Sequence, residues 1–240
     1  MNRYHRYSED VFWTSSFWPK VNHVERAHII RENGGDSALA ELWQSSPWRI
    51  DYNDARTDTI IDLLFPGKNP LLCCGGRHLI DTRSRRDWGK MGSLEFIVPN
   101  TMTARLGKTR GGSEAERTLS NTGKRRFLVV EFDDGTPEEH AALLLHLNRR
   151  APLTPLTLAV HSGNASLHGW FFVQGAPEEE LKWFLHHAVS LGADQMTWNR
   201  SLFTRMPDGR RENGKRQAVF YFNPFAIEAR GTECAQIGVT

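Results

Sequence analysis

Phe127-Leu128-Val129-Val130-Glu131-Phe132-Asp133 is the stretch from which the chain is best read. Four apolar residues run into two carboxylates spaced i, i+2. Side chains alternate between the faces of a strand, so Glu131 and Asp133 point one way and Phe132 the other. Two acids at the end of a buried strand repel each other and are costly to desolvate. A shared divalent cation is the usual remedy.

Downstream, Thr136-Pro137-Glu138-Glu139 reads as a helix start, with Thr136 as N-cap, Pro137 at the first position and Glu139 closing a capping box. Leu143, Leu144 and Leu147 supply the apolar stripe, and Pro152 and Pro155 end the helix. Leu156 to His161 is a second strand, Ser162-Gly163-Asn164 a turn, and Leu167 to Val173 a third strand. Its alternation puts His168, Trp170 and Phe172 on one face and Leu167, Phe171 and Val173 on the other. Pro177 and three glutamates open a second helix that Gly192 stops, and Gln217 to Phe222 is a fourth strand. The order β-α-β-β-α-β is the ferredoxin-like or RRM-like pattern, an α+β fold. In that pattern the first and third strands lie side by side in the centre of the sheet. Glu131 and Asp133 then sit beside His168 on the face away from the helices.

The first half reads as mainly helical α/β. Val24 to Gln44 is helical with a break at Asn33-Gly34-Gly35, and Thr57 to Phe65 is a short helix stopped by Pro66-Gly67. Leu71 to Cys74 and Leu94 to Val98 are strands. Asn100 to Gly123, polar and Gly-rich, is expected to be a mobile connection. The expected organisation is an N-terminal module over 1–124, an RRM-like module over 125–225 and a tail over 226–240. Gly107-Lys108-Thr109 fails as a phosphate-binding loop because Met102 stands where that motif needs glycine. His186-His187 diverge by about 100° on a helix and read as surface or core-edge residues.

A net charge of +2 gives no bulk signal for nucleic acid, so any basic footprint must be local. The densest cluster is Arg205, Arg210, Arg211, Lys215 and Arg216, in one loop with Pro207 and Gly209. Cys73, Cys74 and Cys234 form no metal-binding spacing, and a reduced, cytoplasmic protein is expected, with Cys73 and Cys74 in a buried strand. No apolar run is long enough to span a bilayer, so no membrane partner is expected.

The acid pair, the Ser162-to-His168 segment and the Arg205-to-Gln217 segment together resemble the archaeo-eukaryotic primase, or primase-polymerase, superfamily, in its bacterial mobile-element and phage branch. The likeness covers about residues 125–224. It implies a DNA primase: metal-dependent nucleotidyl transfer on a single-stranded DNA template, with nucleoside triphosphates as substrates and a replicative helicase as a possible partner. By position, the resemblance makes Glu131, Asp133 and Asp194 ligands of two Mg2+ or Mn2+ ions. His168 joins the catalytic set. Ser162, Gly163, His168 and Arg205 contact the nucleotide, while Arg210, Arg211, Lys215 and Arg216 face nucleic acid. Asn164-Ala165 stands where the family often has Gly-Lys, and the cysteines for a zinc element are lacking, so no zinc is expected. The rival readings are a non-catalytic RRM-like module that binds single-stranded nucleic acid through His168-Gly169-Trp170-Phe171-Phe172-Val173, and a metal-dependent replication nuclease.

Overall fold

The computed structural model describes residues 17–50 and 56–227. Cys234 and most of the expected tail lie outside them. The chain folds as mixed α and β with antiparallel sheets. In chain order the helices are α1 (His23–Glu32), α2 (Ala38–Gln44), α3 (Thr57–Leu64), α4 (Pro137–Arg150) and α5 (Glu178–Ser190). The strands are β1 (Leu71–Gly75), β2 (Ile80–Ser84), β3 (Phe96–Ile97), β4 (Gly107–Lys108), β5 (Glu114–Ala115), β6 (Phe127–Glu131), β7 (Leu156–His161), β8 (Leu167–Phe172), β9 (Thr204–Arg205) and β10 (Val219–Phe222).

The main sheet has the order β10-β7-β8-β6. β6 and β8 are neighbours, as the element order predicts. However, β6 lies at an edge instead of the centre, because β10 pairs with β7. The observed strand order therefore departs from the ferredoxin-like expectation. The departure leaves the acid-bearing strand without a second strand neighbour, and the segment after α5 meets its far end instead.

Residue alternation decides what covers each face. Leu128, Val130, Leu167, Phe171 and Ala159 pack into one apolar cluster with Leu144, Leu147, Leu181 and Leu185 of α4 and α5 and with Leu42 of α2. At Gly169 α4 comes so close that methyl groups of Leu144 fill the space where a Cβ would stand. The capping box of α4 forms as the sequence predicts, with Thr136 Oγ1 accepting from the Glu139 N–H. On the opposite face Phe127, Val129, Leu158, Val160, Trp170 and Phe172 pack against Ile60, Ile61 and Leu64 of α3, Leu72 and Cys74 of β1 and Ile97 of β3. Residues on both sides of position 124 thus share one core.

A second sheet, β2-β1-β3-β9, draws β9 from the C-terminal half across to β3. The segment 100–123 is held rather than loose. It contains the β4–β5 hairpin, and Asn121 and Thr118 satisfy several of its backbone groups. Cys73 and Cys74 are buried in β1, as expected, and burial pushes the Cys73 thiol up to about 11.

Candidate functional site

The site forms where β6 ends. Glu131 pairs with His168 across the β6–β8 ladder, so both side chains fall on the face away from α4 and α5. Beyond Glu131 the strand makes a single bridge between Phe132 and Ala193. The Asp194 N–H donates to the Glu131 carbonyl oxygen at 2.8 Å. The segment after α5 therefore returns to the strand end and carries its carboxylate with it. This turn needs Gly192, whose φ of +99° suits a residue without a side chain. One Asp194 carboxylate oxygen accepts from the Met196 N–H at 2.8 Å, capping the short helical turn that follows.

Two residues not singled out in the sequence hold these turns together. Arg26 of α1, itself buried, donates to the carbonyl of Leu191 at 2.7 Å and to that of Asp134 at 2.6 Å. It thereby staples the turn bearing Asp194 to the turn bearing Asp133. His140 of α4, stacked on Phe132, lies 3.0 Å from the Asp134 carbonyl through Nε2 and accepts from the Leu167 N–H through Nδ1 at 3.3 Å. A carbonyl can only accept, so the Nε2 carries the proton and the ring is neutral. Burial lowers its pKa accordingly.

Glu131 is the most perturbed acid. Its side chain keeps 24% of its exposure. Burial first, then the charges of Asp133 and Asp194, push its carboxyl up to about 8, against a pull downward from Arg205. These couplings place the three acids in one electrostatic neighbourhood. His168 Nε2 stands 3.2 Å from Glu131 Oε1 and 3.2 Å from Ser166 Oγ, and its Nδ1 is 3.4 Å from Thr204 Oγ1. Burial, followed by the Arg205 charge, pushes His168 down to about 3. Both shifts disfavour charge on the two groups, so the Glu131–His168 contact is held by hydrogen bonding more than by ion pairing.

Among the described residues, no three His, Cys, Asp or Glu side chains stand together in an arrangement that could hold a metal ion. The donor chemistry nevertheless suits a hard divalent cation: the three acids offer carboxylate oxygens, and Asp133 and Asp194 both push the Glu131 carboxyl up. Asp133 is exposed at the rim and Asp194 is half-buried.

The basic loop divides into three kinds of residue. Arg205 pairs with the buried Glu95 at 2.6 Å and stacks over Phe96, yet it lies close enough to Glu131 and His168 to act on both. Arg211 reaches Glu95 at 3.5 Å and donates to the Ser162 carbonyl at 3.2 Å. Arg216 is engaged by the buried Asp208 at 2.5 Å, so it serves the loop's own structure. Arg210 and Lys215 are exposed. The acids that these arginines use are Asp208, within the loop, and Glu95, which immediately precedes β3 and lies 110 residues from Arg205.

The Ser162–Gly163 turn packs directly on this loop, since a Cβ at Gly163 would meet the Arg216 carbonyl and Arg211. Ser162 Oγ accepts from the Asn164 and Ser166 N–H groups, and the Gly163 N–H goes to His161 Nδ1. These donors are committed within the turn. A backbone nest for phosphate is not what the turn presents. Asn164 and Ala165 are exposed.

Compared with known proteins, the chain matches no family model, no curated protein and no solved structure. No helix among the described residues is long and apolar enough to cross a membrane.

Proposed function

We propose that this chain is a metal-dependent nucleotidyltransferase of the primase-polymerase type, joining nucleotides on a single-stranded DNA template. The observation that carries the proposal is that Asp133 and Asp194 both act electrostatically on Glu131 at the end of β6, where His168 Nε2 stands 3.2 Å from Glu131 and Arg205 pulls its carboxyl down. An all-carboxylate set favours Mg2+ or Mn2+. Such ions, when bound, activate an attacking 3′-hydroxyl and neutralise leaving pyrophosphate. Glu131 and Asp133 would hold them, with Asp194 as third ligand. His168, neutral, orients the Glu131 carboxyl through its hydrogen bond. Arg205 and Arg211 can trade Glu95 for a triphosphate, because both are charged donors suited to phosphate oxygens. Arg210 and Lys215 offer exposed charge to the template.

The fold-level part of the proposal is an RRM-like catalytic module. The element order supports it, although the strand order departs from that pattern. The wider setting implied by the resemblance is replication of a bacterial mobile element or phage, with a replicative helicase as partner.

The base-stacking alternative is less favoured. Trp170 is 0% exposed and Phe172 is covered by the same core, so neither ring is open to a base. The nuclease alternative draws on the same acids and is separated by product.

The test is primer synthesis on a single-stranded template with all four ribo- and deoxynucleotides and Mg2+ or Mn2+. Template-dependent products of increasing length are expected. Cleavage of the template without synthesis, or no reaction with either ion, would overturn the proposal.

A further inference from the structure

We propose that His146 and His187 form a second metal site, for a borderline transition ion such as Zn2+, on the helical side of the main sheet. His146 projects from α4 and His187 from α5, the two helices that cover this face. Their Nε2 atoms lie 3.2 Å apart, with ring centroids at 5.4 Å and planes tilted by 49°. Two imidazole nitrogens on one tetrahedral zinc, each at about 2.0–2.1 Å, stand about 3.3–3.4 Å from each other. The two nitrogens are therefore already at chelating separation. The rings can also share a hydrogen bond, provided one Nε2 carries the proton. For an ion to bind there, the ring that carries its proton on Nε2 takes the other tautomer, with the proton on Nδ1 by exchange with water, so that both Nε2 lone pairs are free for the ion.

Both rings are partly exposed, so an ion can enter from solvent. Burial and neighbouring positive charge hold both below the ordinary histidine value, which leaves the nitrogens neutral at neutral pH. Around the pair, Glu25 of α1 contributes negative charge to both rings. Arg150 opposes it at both rings and Arg149 at His146, although Arg149 is turned to Glu41 at 2.6 Å. The protein supplies two nitrogens and water completes the shell, so affinity is modest. Imidazole favours zinc, copper and nickel over magnesium, which separates this site from the carboxylates across the sheet. His186, next in sequence, turns instead to Trp183 and Phe17. A bound ion would cross-link α4 to α5 whether or not the protein joins nucleotides.

The experiment uses the full chain, stripped with a chelator and then held in excess Mg2+ to engage the carboxylates. Zn2+ is added at roughly tenfold over its dissociation constant, and the melting temperature is expected to rise by about 3–6 °C. His146→Gln and His187→Gln should each abolish the rise, and His186→Ala should keep it. Imidazole NMR of the wild type should show only the His146 and His187 ring signals moving at low zinc, a readout that does not depend on either variant folding. No rise in the wild type, a rise that survives both glutamine variants, or ring signals that stay in place would overturn the proposal.

Discussion

The two faces of the main sheet solve different problems with the same strands. On the helix side, Val130 and Leu167 belong to an apolar cluster with residues of α4, α5 and their neighbours. One residue along each strand, on the other side, stand Glu131 and His168. The helix face gains from burial alone. The other face is equally dry over Phe127, Trp170 and Phe172, but at its β6 end it holds an acid pushed up to about 8. A face can tolerate such a charge deficit only if the rest of the sheet is secure. The comparison teaches that the apolar face secures the fold, while the polar corner carries buried charge that adds nothing to stability in the metal-free protein.

The largest expected effect lies on the helix face. Leu144→Ala, at a fully buried position against Gly169, should cost about 2–5 kcal/mol in denaturant unfolding. If the comparison holds, metal binding at the acids changes little in the protein that remains folded. A similar cost with lost metal affinity would show that the two faces are not separable.

Next is the staple between the acid-bearing turns. Arg26→Met removes two charged hydrogen bonds to carbonyls and should destabilise by about 2–4 kcal/mol, read by chemical denaturation. Unlike Leu144→Ala, it should also weaken Mn2+ binding, because the Asp133 and Asp194 turns lose their common anchor. Intact ion affinity would mean that the turns hold their places without Arg26.

The polar corner has a pH signature in the metal-free protein. Glu131 titrates near its ordinary value of about 4.5 when unfolded and near 8 when folded. Between these values the folded state holds the extra proton, so stability falls as pH rises through that window. Glu131→Gln should remove this slope and raise the melting temperature at pH 8 by about 5 °C or more. The effect has the opposite sign to that expected of a stabilising ion pair. Equal melting of the two forms at pH 8 would contradict the electrostatic picture of the site.

The smallest effect is at the loop rim. Arg210→Ala and Lys215→Ala should change stability by no more than about 0.5 kcal/mol. Each should reduce the salt slope of single-stranded DNA binding by roughly one. Arg216→Ala should instead destabilise the loop, since it strips the buried Asp208 of its partner.

Much of the fold was legible because local signals agreed. The alternation in Leu167 to Val173 fixed which face His168 takes, and the capping box fixed where α4 begins. Sequence did not reveal what depends on distant partners. β2 and β9 are short and polar, and exist through pairing with β1 and β3. The edge position of β6 depends on β10 choosing β7, which no local pattern encodes. In the site, Glu131, Asp133 and His168 were readable as an i, i+2 acid pair and a strand alternation. Glu95 was not, because its role comes from Arg205 far along the chain, and Arg26 acts on backbone carbonyls that carry no sequence mark. Nor did the sequence mark Asp208 as the partner of Arg216: it takes a positive φ and buries its carboxylate beneath the loop. Segment 100–123 looked mobile by composition, yet its Asn and Thr side chains bond its own backbone.

The most direct measurement compares template-dependent nucleotide incorporation by the wild type and by Asp133→Ala, in Mg2+ and in Mn2+, with melting curves of both proteins alongside. Asp133 is exposed at the rim of the acid cluster, so the variant should melt at or slightly above the wild-type temperature. Incorporation should fall by at least about a hundredfold, as expected when a ligand of the catalytic ions is removed. Undiminished incorporation by a folded Asp133→Ala protein would contradict the assignment of this corner as the catalytic metal centre.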